Sequence, residues 1–270
     1  MTKKKIFAVL ILLVVVSAAI AQDFQRRRGY RYRTNPDPRN GVPLWKNDAD
    51  FEQDVFTFVR VRYRTMGRRY GWETDYPDAD LNLSFRLQQL TSIKTDPHGK
   101  TLWLTDPEIF NYPFIYIVEP GGMVLSDAEV VCLREYLNRG GFLMVDDFWE
   151  EAEWDNFERE IKRVFPDRPI EDIPLEHEIF QMVYKLDEKP LIPSIHAYMR
   201  GMWTDRPGAT EPHYRCIKDD HDRLMMIICH NTDLGDGWER EGVDAGYFAE
   251  YSERWAYPLG INIVTYALTH

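Results

Sequence analysis

The segment Ser126–Trp149, SDAEVVCLREYLNRGGFLMVDDFW, constrains the fold of this chain most tightly. Ser126 and Glu129 stand in capping-box spacing and Gly140 ends the helix they begin. Phe142–Val145 is then an apolar strand that runs into Asp146 and Asp147. A strand of this kind belongs to a parallel sheet with helices on its faces, where ligands sit at the carboxyl ends of the strands. Asp146-Asp147 therefore marks the expected edge of a site. No Ser or Cys nucleophile stands at that strand end.

The same rhythm runs through the rest of the chain. Val55–Arg64 reads as a strand whose second half alternates Val59, Val61, Tyr63 with Arg60, Arg62, Arg64, so its arginine end is expected to be exposed or to line a polar mouth. Pro77 precedes a helix starting near Asp78, with Ala79, Leu83, Leu87 and Leu90 on one stripe. Thr101–Leu104 and Phe114–Val118 are short apolar strands around a turn-rich piece, and Trp154–Phe165 is helical. Beyond Pro166 the pattern blurs. A hairpin follows at 213–231, then an acidic, Gly-rich loop from Asp233 to Gly246 and a C-terminal helix from about Tyr247 to Thr269.

The first residues read as an address. Lys3, Lys4 and Lys5 precede an apolar run from Ile6 to Ile20, and Ala19-Ile20-Ala21 has the small-x-small pattern of a cleavage site, which predicts a secretory signal peptide over 1–21. About 15 apolar residues fall short of the roughly 20 that a spanning helix needs. Residues 22–50 carry Arg26, Arg27 and Arg28, then several prolines, and read as a flexible basic linker able to touch an anionic surface weakly. Residues 51–270 are expected to form one domain.

Loss of the signal leaves 30 basic against 44 acidic groups, a formal charge of about −14, which argues against nucleic acid as a partner. Cys132, Cys216 and Cys229 form no CxxC, and the hairpin register sets Cys216 opposite a residue near Met225 or Met226, several positions from Cys229. All three read as buried small hydrophobes. No Cys/His pair has zinc-ligand spacing, so no metal site and no cofactor are expected from the spacing.

Several groups could carry chemistry. Asp146 and Asp147 could orient a ligand or work as acid and base, or simply favour the positive start of the following helix. Glu119, Gly121 and Gly122 occupy the equivalent place after the Phe114–Val118 strand, though no GxGxxG accompanies them. Asp75, Asp78 and Asp80 in WETDYPDADLN miss the EF-hand template. Arg62, Arg64 and Arg86 could pair with these acids or bind an anionic ligand. His177 and His230 lie beside acids and are the candidate bases. No GxSxG elbow exists.

These residues carry a resemblance. The arginine-ended first strand, Trp72-Glu-Thr-Asp75-Tyr-Pro77-Asp78-Ala-Asp80-Leu-Asn82 with Arg86-Leu87, Leu137-Asn-Arg-Gly140-Gly-Phe-Leu, Asp146-Asp147-Phe, His177-Glu-Ile-Phe180 and Leu259-Gly-Ile-Asn262 look similar to a bacterial group, the domain of unknown function 4159. The resemblance implies a three-layer α/β/α sandwich with a mainly parallel sheet, flavodoxin-like or class I glutamine amidotransferase-like, plus a C-terminal β-hairpin and helix. The helix-Gly-Gly-strand segment also resembles the amidotransferase-like domain of some β-galactosidases, which serves assembly. Asp146-Asp147 replaces the catalytic cysteine of true amidotransferases, so thioester chemistry is not implied. The resemblance brings no established activity.

Two functions are open at this stage. One is a non-catalytic module of the bacterial cell envelope, periplasmic or extracellular, binding a small molecule, a carbohydrate or an envelope protein. The other is a hydrolase of carbohydrate or another envelope polymer, using Asp146 or Asp147 with His177 or His230. A deep pocket gathering Asp75, Asp146, Asp147 and a histidine would favour the enzyme; splayed acids on a shallow edge would favour the module.

Overall fold

Short apolar runs between turn signals cannot bury both faces alone, and in this chain they assemble into one sheet covered on both sides. The computed structural model describes residues 39–48, 54–66 and 71–270. The expected signal peptide, and Arg26, Arg27 and Arg28 with it, lie outside the described residues. Val42–His270 form one compact unit.

The strands are β1 (Val59–Arg62), β2 (Arg64–Thr65), β3 (Lys100–Trp103), β4 (Phe114–Val118), β5 (Met123–Val124), β6 (Phe142–Asp146), β7 (Glu171–Asp172), β8 (His213–Lys218) and β9 (Leu224–His230). Seven of them form a sheet in the order β3-β1-β4-β6-β9-β8-β7, while β2 and β5 pair separately. Strands β3, β1, β4, β6 and β9 are parallel; β8 runs against β9 and β7 against β8. Taken in chain order, the parallel strands follow the 2-1-3-4-5 arrangement of doubly wound sheets, whose switch point lies between β1 and β4.

The principal helices are α1 (Asp78–Leu90), α2 (Asp127–Asn138), α3 (Glu150–Val164), α4 (Ile195–Tyr198), α5 (Leu234–Glu239) and α6 (Tyr257–Thr269). Alternation along the strands divides the core in two. Phe58, Tyr116, Met144 and Ile227 meet Leu83 and Leu87 of α1, Trp238 of α5 and Ile261 of α6. Val59, Val61, Ile117 and Val145 meet Leu133 of α2 and Phe157 and Ile161 of α3. The result is a three-layer α/β/α sandwich with a mostly parallel sheet, ending in the hairpin and helix. No helix of the described residues is long and apolar enough to cross a membrane.

Local chemistry accounts for most boundaries. Ser126 accepts from the Glu129 backbone N–H while the Glu129 carboxylate takes the Ser126 N–H, so the capping box starts α2 one residue after its serine. Gly140, at φ 101°, supplies the left-handed turn that stops it. In the hairpin Cys216 faces Ile227 and Cys229 faces Tyr214, and all three cysteines are free thiols. Cys216 sits one residue beyond the expected Met226 because the ladder shifts between Ile217 and Lys218.

Two expectations are corrected. Val42–Asp48 is not a free linker: Val42 is buried, and the side chains of Trp45 and Asn47 both donate to the Thr95 carbonyl. Arg60 does not join an exposed arginine end. Val59 and Val61 face the α2/α3 layer, so strand alternation drives Arg60 into the opposite one, where it is fully buried. There its Nε lies 3.0 Å from both oxygens of Asp80 on α1. Arg64 alone of that alternating set is strongly exposed, at 68% of its side chain.

Candidate functional site

Three of the parallel strands, β4, β6 and β9, end on the same backbone device. Glu119 follows β4 at φ 48°, Asp147 follows β6 at φ 55° and Asn231 follows β9 at φ 60°, all in the left-handed region that disfavours side-chain-bearing residues. Asp75, in the loop leading to α1, is at φ 59° and Glu150 at φ 61°. Such conformations persist only where surrounding contacts hold them, and they gather at functional sites. Here Asp75, Glu119 and Asp147 face one crevice at the switch point, while Glu150 and Asn231 face a neighbouring one.

The β1–α1 loop is held from below. Arg60 spans it, donating through Nη1 to the carbonyls of Trp72 (3.1 Å) and Thr74 (2.7 Å), with its guanidinium 5.0 Å from the Tyr116 ring centre. Thr74 in turn donates to Glu119 Oε2 at 2.8 Å, and the Gly71 N–H reaches the same oxygen at 3.0 Å. On the far side, β9 leads through Thr232 and Asp233 into α5. Asp233 caps that helix by accepting from the Asp236 N–H at 2.7 Å, and Asn82 of α1 closes the other end by donating to the carbonyls of Trp238 and Glu239.

Gly235 is the point of closest approach. A Cβ there would lie 2.8 Å from Asp75 Oδ2 and 2.9 Å from the Tyr116 hydroxyl oxygen, so only glycine fits. Its N–H donates to Asp146 Oδ2 at 2.8 Å, and the Tyr116 hydroxyl donates to the same atom at 3.2 Å. The other Asp146 oxygen, Oδ1, is buried with no hydrogen-bond partner, and so is Asp75 Oδ2.

These parts enclose a cavity of about 240 Å³ lined by Thr74, Asp75, Glu119, Asp147, Trp149, Glu153, Ser194, His196, Asp205, Arg206, Asp233, Asp236 and Arg240. Seven carboxylates thus face two guanidinium groups, and the charge balance is strongly negative. Burial, then Glu239 and Asp147, pushes the Asp75 carboxyl well above the usual carboxylate range; burial, then Glu119, does the same to Asp147. Asp233 is raised by burial and by Asp147 and Asp236, while burial lifts Asp146 to about 7. Carboxylate oxygens of Asp75, Asp147 and Asp233 lie within 4.8 Å of one another, as do those of Asp75, Asp236 and Glu239. Either set could hold a cation. Linear spacing could not reveal them, because positions 75, 147 and 233 lie on three separate crossovers.

Of the residues singled out from sequence, Asp75, Glu119 and Asp147 line this cavity and Asp146 lies buried beside them. Gly121 packs against Glu153, whose Cβ would be 2.7 Å from an added Cβ, and Gly122 is buried next to it. Asp80 is taken by Arg60. Arg62 bonds Thr101 and stacks on Trp72, Arg64 faces Glu129 at 3.7 Å, and Arg86 pairs with Glu241 at 2.6 Å. None of these four lines the cavity. His177 is also elsewhere: its Nδ1 caps a short turn by accepting from Ile179 N–H, beside Tyr266.

His230 lines a neighbouring cavity of about 500 Å³ with Glu150, Glu151, Trp154, Gly208, His213, Arg215 and Asn231. Burial pushes its imidazole down to about 4, and its ring is wedged between Phe148, Trp154 and His213. His196 is the histidine of the acidic cavity, and sequence reading passed over it along with Ser194, Asp205 and the acids of α5. The only available signal was the Asp233-Leu-Gly-Asp-Gly-Trp-Glu239 run, which reads as a loop because two glycines interrupt it. Ser194 caps α4 and donates to Asp205.

A doubly wound α/β domain with an acidic cavity at its switch point is the class that fold and site together define. The chain belongs to the family described as Domain of unknown function (DUF4159), whose model matches residues 57–268. No curated protein matches it.

Proposed function

We propose that this domain is a ligand-binding module whose working site is the acidic cavity at the carboxyl edge of the sheet, and that its ligand presents positive charge there. One observation carries the reading: Asp75 Oδ2, in a cavity already crowded with acids, and Asp146 Oδ1, beside it, are buried carboxylate oxygens without a donor. Burying an unpaired carboxylate is costly, and the cost is recovered only when an opposite charge or a donor arrives. The left-handed residues on the rim hold the arrangement in place before any ligand binds. The Lys-Lys-Lys and apolar start of the chain supports a place of work in the cell envelope. The sandwich and its missing thiol nucleophile support an amidotransferase-like fold without amidotransferase chemistry.

The test is a binding screen on the whole chain with divalent cations, polyamines and amino sugars, read by thermal shift and by calorimetry, and repeated on Asp75→Asn. A cationic ligand that stabilises the wild type and loses most of that effect in the variant is expected. If only anionic or neutral ligands bind, or if Asp75→Asn leaves binding unaltered, the site is misread.

A hydrolase is the second reading, favoured by Asp146, whose carboxyl at about 7 holds or releases a proton near neutrality beside Asp147. In that reading His196 takes the place of His177 and His230. Release of reducing ends from envelope polysaccharide that disappears in Asp147→Asn would support it; equal release by both proteins would exclude these acids.

A further inference from the structure

We propose that Asp75, Asp147 and Asp233 bind one hard divalent cation of the Ca²⁺, Mn²⁺ or Mg²⁺ class. The proposal rests on the cationic-ligand reading above and names the ligand. The three side chains come from the β1–α1 loop, the end of β6 and the end of β9, and converge although they are far apart in sequence. Their oxygens lie within 4.8 Å of one another. Two oxygens on one ion at about 2.1–2.6 Å are separated by at most about 4.2–5.2 Å, so this spacing fits a common ion. An all-carboxylate set selects hard cations over zinc or copper.

The remaining oxygens are already used in a way that aims the free ones. Asp147 Oδ1 accepts from Trp149 Nε1 at 2.7 Å and Asp233 Oδ1 accepts from the Asp236 N–H at 2.7 Å. Each of these acids keeps one oxygen for an ion, in the manner of outer hydrogen bonds that orient metal ligands. Asp75 Oδ2 points to an ion independently of the cluster itself, because it is shut off from solvent with no donor at all. Asp146, wholly buried alongside, has a second oxygen in the same state. Gly235 leaves the space open, since any Cβ there would press on Asp75 Oδ2.

The competing set, Asp75 with Asp236 and Glu239, already has a cation on two of its three acids. Glu239 pairs directly with Arg240, and Asp236 lies 3.7 Å from the same guanidinium while also accepting from the Ile195 N–H. Among the described residues, no Lys or Arg forms an ion pair with Asp75, Asp147 or Asp233. The ion is therefore assigned to the Asp75–Asp147–Asp233 set.

The experiment uses the full chain stripped with chelator and returned to chelator-free buffer. Calorimetry with CaCl₂, MnCl₂ and MgCl₂ is expected to give one site per chain, with a dissociation constant of about 10⁻³ M or tighter. Asp147→Asn and Asp233→Asn should each weaken binding about tenfold or more, whereas Glu135→Gln, an exposed acid paired with Arg139 on α2 and outside the cavity, should shift it less than about twofold. Tb³⁺ emission excited through tryptophan, and quenched by competing Ca²⁺, reads the same site on the wild type alone, because Trp149 touches Asp147. This arm decides the matter if an Asn variant fails to fold. No binding of any of these ions to the wild type overturns the proposal, as does binding that survives both Asn variants. Binding of a polyamine but of no divalent ion removes the metal and leaves the cationic-ligand reading standing; binding of neither removes both.

Discussion

Arg60 decides where the candidate site stands. Its guanidinium joins β1 to α1 through Asp80 and holds the Trp72–Asp75 loop by two carbonyls. Burial opposes its charge, but Asp80 outweighs burial and raises the guanidinium's pKa; at Asp80 burial wins, and the carboxyl rises despite Arg60. A buried ion pair adds little net stability over apolar residues, yet removing one partner strands the other. Arg60→Met is expected to lose about 3–5 kcal/mol of stability by urea unfolding, with cation binding at Asp75 lost as well. A loss below about 1 kcal/mol would show that the loop is held by something else. The sequence displayed Arg60 as one of three alternating arginines, and nothing local distinguished the buried one, because its partner lies on the next helix.

At the scale of elements, legibility followed how local the cause was. The strand β4 and the helix α2 are set by an apolar run, a capping box and Gly140, all within a few residues of where they act. The helix α5 is not. Its Gly235 and Gly237 make it a poor helix alone, and it forms because Asp233 and Asn82 satisfy its two ends and Trp238 enters the core. Asn82 lies more than 150 positions away on α1. Asn82→Ala should leave two carbonyls short of a donor and cost about 1–3 kcal/mol, with hydrogen exchange quickened at the α5 amides ahead of the rest of the sheet. Unchanged α5 exchange would mean that the cap is dispensable. The candidate site was half legible for the same reason. Asp146, Asp147 and Glu119 follow recognisable strands, whereas Asp233 and Asp236 sit in a segment that only tertiary contacts make regular.

Across the whole molecule, stability is expected to depend on acid through His230. Its imidazole falls to about 4 in the folded protein against about 6.5 unfolded, so the unfolded chain takes up the extra proton between those values. Stability from this group is complete above about pH 6.5 and declines as pH falls to about 4, by roughly 3 kcal/mol in all. His230→Gln should flatten that slope in urea melts across the window; an NMR titration placing the His230 midpoint near 6 would remove the effect. The sequence by itself determined the class of fold and one edge of the candidate site, because hydrophobic period, capping and strand-end position are written in neighbouring residues. Tertiary structure alone decided that Asp75, Asp147 and Asp233 meet, that Arg60 is buried and that His177 and His230 stand apart from the acids. Those facts depend on which crossovers converge at the switch point, and convergence depends on how strands are ordered across the sheet, which no short stretch of chain encodes.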